Sequence, residues 1–135
     1  MSWHVPTDRE WANLLDKVEG NTTYTVQTGT GWWGTDAGKK MKSAGTFTGT
    51  DPGDGSWLDH ANRGDNTSGF GAVPAGYRRD NGLYFNGRSI NVNYWSSSVG
   101  SSGNAWYRYF DCTHARAARY LNPRSLGFSV RCVKD

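Results

Sequence analysis

Two short stretches near the C-terminal end alternate strictly between core-type and surface-type side chains, and that alternation commits them to β-strands. In Trp106-Tyr107-Arg108-Tyr109-Phe110-Asp111, a period of two puts Trp106, Arg108 and Phe110 on one face and Tyr107, Tyr109 and Asp111 on the other. One of those faces is expected to see solvent. In Gly127-Phe128-Ser129-Val130-Arg131-Cys132 the same rule turns Phe128, Val130 and Cys132 inward and leaves Ser129 and Arg131 outside. The intervening residues, Asp111 to Leu126, mix Cys, His, Arg, Tyr, Leu and Pro with no core pattern. Such variety on a rigid base points to recognition.

At 135 residues the chain is long enough for one core, so a single domain is expected over 1–135. Seven Trp, seven Tyr and five Phe beside 18 Gly describe a loop-rich fold whose core uses a few large aromatics. The formal charge of +3 is interspersed along the chain and does not call for nucleic acid. Residues 101–135 hold six Arg and Lys against two Asp, which reads as a basic recognition face. There is no leader-like segment and no apolar run of about 18 residues, so membrane insertion is not expected. Two cysteines fit a disulfide or free thiols. With Cys132 on an inward face and Cys112 on a loop, unpaired thiols are favoured.

From the N-terminal end, Thr7 and Glu10 have the spacing of a capping box. Pro6 and Trp11 fit a hydrophobic staple around it. Trp11, Leu14, Leu15 and Val18 then follow helical spacing, and Gly20 offers a left-handed stop, so a helix is predicted over 8–19. Residues 22–28 alternate like a short strand and 29–34, with Trp32 and Trp33, read as a loop. A second helix is predicted over 36–43, capped by Asp36 with Met41 inward. Gly34 to Lys40 imitates a phosphate-binding loop, but three residues separate its glycines instead of four and Lys40 stands where Ser or Thr would hold magnesium. Residues 46–69 form a turn-rich surface loop pinned by Trp57. Asp51, Asp54, Asp59 and Asp65 there make calcium conceivable, yet they lack the alternation of a helix–loop–helix calcium site, and no cofactor is expected. Phe70 to Arg78 reads as core with a turn. Leu83-Tyr84-Phe85 and Ile90-Asn91-Val92 bracket an Asn86-Gly87 hairpin turn.

WHVPTDREW (3–11), AGKKMKSAG (37–45), NTSGFGAVPAGYR (66–78), YWSSS (94–98), NAWYRYF (104–110) and GFSVRCVKD (127–135) together resemble the Fibrobacter succinogenes major paralogous domain. That family is similar to the formylglycine-generating branch of C-type lectin-like folds and to the variable proteins of diversity-generating retroelements. The resemblance is colinear over nearly the whole chain, apart from an apparent insertion at about residues 21–34. It implies an α+β, C-type lectin-like fold: two helices flanking a small, mainly antiparallel sheet, rich in loops. It also implies a bacterial cell-surface or phage-virion setting. The N-terminal strand that pairs with the C-terminal one is expected to be short or missing, so the domain is expected to be the C-terminal part of a longer protein or to be completed by a partner, through a missing N-terminal segment or a second copy in a homo-oligomer.

In the retroelement relatives, mutated asparagine codons diversify a C-terminal face and never yield Lys, Gln, Glu, Met or Trp. None of these five occurs between Tyr107 and Leu126. The resemblance therefore implies candidate ligand-binding positions at Tyr107, Tyr109, Asp111, Cys112, His114, Arg116, Ala118, Tyr120, Leu121, Pro123 and Leu126, within a variable region of 104–126. Trp106, Arg108, Phe110, Gly127 and Phe128 are the expected scaffold. The implied partner is a cell-surface protein or glycan. The competing reading, an oxidase of the formylglycine-generating kind, needs two converging thiols, and Cys112 and Cys132 read as lying on different faces. His4, His60 and His114 are far apart in sequence and suggest no metal site. Calcium-dependent sugar binding of the animal-lectin type finds no carboxylate beside Asn122-Pro123 and no following Trp-Asn-Asp. A non-enzymatic binder is expected.

Overall fold

In the computed structural model, which describes residues 1–47, 55–82 and 84–135, the chain is a mixed α and β fold of two helices and short, mainly antiparallel sheets joined by loops. The order is β1 (Trp3–His4), α1 (Asp8–Glu19), β2 (Gly31–Trp33), α2 (Ala37–Met41), β3 (Thr46–Phe47), β4 (Trp57–Leu58) and β5 (Tyr77–Arg78). There follow β6 (Phe85–Asn86), β7 (Asn91–Val99), β8 (Asn104–Asp111), β9 (Ala117–Pro123) and β10 (Val133–Lys134). The main sheet has the order β2-β9-β8-β7, all antiparallel. Two-residue pairs β1-β10, β3-β4 and β5-β6 tie down the rest, with β3-β4 parallel.

Helix α1 starts where its sequence says. The Thr7 hydroxyl accepts from the Glu10 amide at 3.2 Å and the Glu10 carboxylate accepts from the Thr7 amide at 2.8 Å, so two end amides are satisfied reciprocally. Gly20 ends the helix at φ 87°, a left-handed conformation that a side chain would oppose. Trp11 and Leu15 are buried against Tyr94 and Phe110 of the sheet, whereas Leu14 stays at the surface. Met41 of α2 points fully into the same core.

Three local expectations are corrected by longer-range partners. Residues 22–28 form turns, because the buried Asp16 carboxylate accepts the backbone amides of Tyr24 at 2.5 Å and Thr25 at 3.1 Å and removes their need for a strand partner. Residues 31–33, read as loop, are instead β2, because Trp32 and Trp33 lie opposite Ala118 and Ala117 and the small residues leave room for the large. The Asn86-Gly87 turn does not close the expected hairpin: β6 pairs with β5, and Gly87 turns the chain into β7 by accepting from Ile90 and Asn91. Leu83 lies outside the described residues, as do Asp51 and Asp54 of the calcium reading.

The pattern 127–132 is also corrected. Gly127 bridges Arg78 and Ser129 bridges Tyr94, but the chain then leaves the sheet, so Val130 is exposed at 52% and Cys132 is exposed as well. No second sheet covers that alternation among the described residues. Cys112, placed on a loop by its sequence, is buried at the end of β8, and both thiols are free. The short N-terminal strand does pair with the C-terminal one, Trp3 opposite Lys134 and His4 opposite Val133.

The charged residue on the inner face of β8 is held by neutralisation. Arg108, fully buried, lies 2.8 Å from the Asp8 carboxylate, which Arg119 of β9 meets at 2.9 Å. Removing Asp8 would leave two guanidiniums without their anion. The first turn of α1 is thereby locked to two adjacent strands. Trp57 pins the 55–69 segment as predicted, its indole donating to the Ala72 carbonyl at 3.0 Å.

Candidate functional site

The strand registers sort the sheet into two faces. Val92, Tyr94, Arg108, Phe110 and Ala117 look toward α1, so the alternate set looks the other way: Asn91, Asn93 and Trp95 on β7, Tyr107, Tyr109 and Asp111 on β8, Ala118, Tyr120 and Asn122 on β9, and Trp32 on β2. The face assignment of β8 made from its period is right. Its openness is not, because the return after β9 folds back across it. Phe128 stacks on Trp95 with ring centroids 4.3 Å apart and approaches Tyr107 at 4.7 Å, while Tyr77 meets Phe128 edge-on at 6.0 Å. The result is a cleft of about 490 Å³ with Asn91, Asn93, Tyr107 and Tyr109 toward its floor and Tyr77, Phe128 and Leu126 among its walls.

A train of rings runs out of this cleft. Tyr107 and Tyr109 lie 6.1 Å and 6.4 Å from Tyr120, Tyr109 lies 5.3 Å from Trp32, and Trp32 stacks flat on His114 at 3.9 Å. The phenols are fixed by hydrogen bonds. The Tyr109 hydroxyl donates to Asp111 at 2.8 Å, and the Tyr107 hydroxyl accepts from the Asn122 amide at 3.2 Å, which leaves the Tyr107 proton free to donate. Burial pushes Tyr107 up to about 12 and Tyr109 higher still, so both remain neutral donors at physiological pH. Burial opposes ionisation of Asp111, but hydrogen bonds from the Thr113 hydroxyl and amide and from Tyr109 outweigh it and hold the carboxyl below its ordinary value.

Two amide oxygens on this face, Asn91 Oδ1 and Asn93 Oδ1, are buried with no hydrogen-bond partner in the protein. Buried acceptors of that kind are rare in folded chains. The loop after β8 is clamped from behind. The Lys42 ammonium, fully buried, donates to the carbonyls of Asp111 at 2.5 Å, His114 at 2.9 Å and Asn62, while the Lys39 amide donates to Ala115 at 2.8 Å. Burial lowers the Lys42 pKa to about 8. A second depression of about 440 Å³ lies between α1 and the C-terminal segment, beside Trp11, Leu14, Phe70 and Cys132. No unpartnered buried side-chain atom belongs to its lining among the described residues, and the sheet cleft is preferred on that chemistry.

The structure divides the sequence-derived positions. Tyr107, Tyr109 and Leu126 line the cleft, Tyr120 contacts its rings, and His114 reaches it through Trp32. Asp111 is buried and acts by holding Tyr109. Cys112 and Ala118 are corrected from outward to buried: Cys112 packs in the core, and Ala118 is wholly covered opposite Trp32. Tyr107 too is buried at 8%, under Phe128. Leu121 lies on the α1 side of β9 opposite Trp106, and Arg116 and Pro123 are exposed but do not line the cleft. Sequence reasoning missed Trp32, Asn91, Asn93, Asn122 and Tyr77, and took Phe128 for scaffold. A usable signal existed in Asn91-Val92-Asn93-Tyr94, where two strand-averse residues share one face of a predicted strand.

The whole-chain kinship follows from a comparison of families: the Fibrobacter succinogenes major domain matches residues 1–134. The chain belongs to that family. No curated protein and no solved structure matches this Fibrobacter succinogenes major domain. Among its described residues no group of three or more His, Cys, Asp or Glu is placed to hold a metal ion, and no helix is long and apolar enough to cross a membrane.

Proposed function

We propose that this chain is a non-enzymatic ligand-binding domain of C-type lectin-like architecture, displayed on a bacterial surface or phage virion, that engages a cell-surface receptor through the sheet cleft. The observation that supports this most is the convergence of Tyr107, Tyr109, Tyr120, Trp32, Trp95 and Phe128 from five separate segments onto one concave face. Clustered rings of limited flexibility give contact area at low entropic cost. The Lys42 clamp and the Asp111–Tyr109 bond pre-order them. Against the oxidase alternative stands the separation of thiol environments: Cys112 is buried, with its pKa raised mainly by that burial, and Cys132 is exposed.

Within this reading, retroelement diversification is confined to positions whose side chains have room: Tyr109, His114, Arg116, Tyr120, Pro123 and Leu126, with Cys112 and Ala118 excluded by packing. The test of binding is a chemical-shift map of the ¹⁵N-labelled domain titrated with a mixture of monosaccharides and N-acetyl amino-acid amides. Shifts grouped on Asn93, Tyr107, Tyr109, Tyr120 and Asn122 support the cleft. Shifts confined to the depression beside α1, or none at all, sink it.

A further inference from the structure

The cleft floor makes a demand that the protein does not meet. Asn93, only 4% exposed, and Asn91, 9% exposed, each present a buried amide oxygen without a partner in the protein, and both line the cleft together with Tyr107 and Tyr109. A ligand donor that reaches oxygens so little exposed has to be slender, of hydroxyl size. The charged residues lining the cleft are Arg79 and Asp80, of opposite sign, so no net charge selects an anion or a cation. Strand addition by a peptide is also disfavoured at this edge. The outer backbone groups of β7 are already used, with the Ser129 amide donating to Asn93 at 2.9 Å, the Trp95 amide to Ser129 at 3.0 Å and the Gly76 amide to Asn91 at 2.8 Å.

Resting on the cleft reading above, we propose that the ligand is a neutral saccharide, bound without calcium, one ring lying against Tyr109 and Tyr120 with a hydroxyl donated into Asn93 Oδ1. A sugar combines an apolar C–H face with a rim of small donors and acceptors, which matches ring walls over amide oxygens. The Tyr107 hydroxyl, its oxygen engaged by Asn122, has its proton available for a ring or exocyclic oxygen. The cleft volume of about 490 Å³ falls in the range of pockets that enclose small ligands.

The experiment measures binding to a printed array of neutral oligosaccharides and to a peptide array, each in chelator. The proteins are the wild type, Asn93→Leu, Tyr109→Ser and the off-cleft control Lys17→Ser, on the exposed side of α1. Asn93→Leu keeps the size of the side chain and removes the orphan acceptor, so its melting temperature is expected to be equal or higher while sugar affinity falls at least tenfold. Tyr109→Ser is expected to lose as much, and Lys17→Ser to stay within twofold. If neutral sugars fail but peptides bind and depend on Asn93 and Tyr109, the saccharide assignment is overturned and the cleft reading stands. If binding is indifferent to both cleft variants, or neither array binds, both fail.

Discussion

Gly38→Ala separates local from tertiary reasoning most sharply. Gly38 lies inside α2, and by helix propensity alone alanine is better there by about 1 kcal/mol. The structure predicts the opposite sign. A methyl at Gly38 would sit 2.6 Å from the Arg116 carbonyl carbon and 2.8 Å from the Ala115 oxygen, backbone atoms that cannot rotate away. Relief requires α2 to back off the 115–116 segment. That movement stretches the Lys39–Ala115 hydrogen bond, now 2.8 Å, and the Lys42–His114 bond, now 2.9 Å. Overpacking of this kind costs about 1–3 kcal/mol, and each weakened bond about 1 kcal/mol. After the propensity gain the expected loss is about 2–4 kcal/mol, or about 7–14 °C in melting temperature for a domain of this size. Urea unfolding followed by tryptophan fluorescence measures it. A midpoint equal to or above that of the wild type would refute the packing argument, and unchanged His114 shifts in the variant would show that the loop had not moved.

Thr7→Ala removes half of the capping box and is expected to lower stability by about 1 kcal/mol, read as a fall in the urea midpoint with unchanged slope. His4 has its pKa raised from 6.5, first by the Glu10 hydrogen bond and then by Asp135, so its contribution is complete below about 6.5 and is lost as pH rises through the folded value. Protection factors of the β1 and β10 amides, taken against the intrinsic base-catalysed rate, are therefore expected to fall on that rise, and His4→Gln to abolish that fall; a flat wild-type profile of protection would remove His4 from the account. Cys132 is expected to react at once with a thiol reagent in native buffer and Cys112 only on unfolding; two fast thiols, or copper(I) binding with oxygen uptake, would revive the oxidase reading.

Legibility followed the range of the interactions. The α1 boundaries, its capping box, the Gly20 stop, the inward Met41 and the face assignment along β8 were all readable, because each depends on residues within about one helical turn or one strand repeat. At the site, Tyr107, Tyr109 and Leu126 were found from their pattern or from the kinship. Asn91, Asn93 and Trp32 were not, since a polar residue in a strand or a tryptophan beside glycines acquires meaning only from what covers it.

By itself, then, the sequence determined the kinship, the two helices and which side chains of β8 travel together. Only the tertiary structure decided what each face meets. Alternation states that Tyr107 and Phe110 point in opposite directions, and it is equally compatible with solvent or a neighbour on either side. Here the return through Phe128 closes over Tyr107, β2 seats Trp32 on Ala118, and Asp8 lets a charged Arg108 occupy the core. Those three contacts join residues far apart along the chain. Their free energy depends on burial and charge pairing that exist only once the chain has folded, so no local pattern carries them.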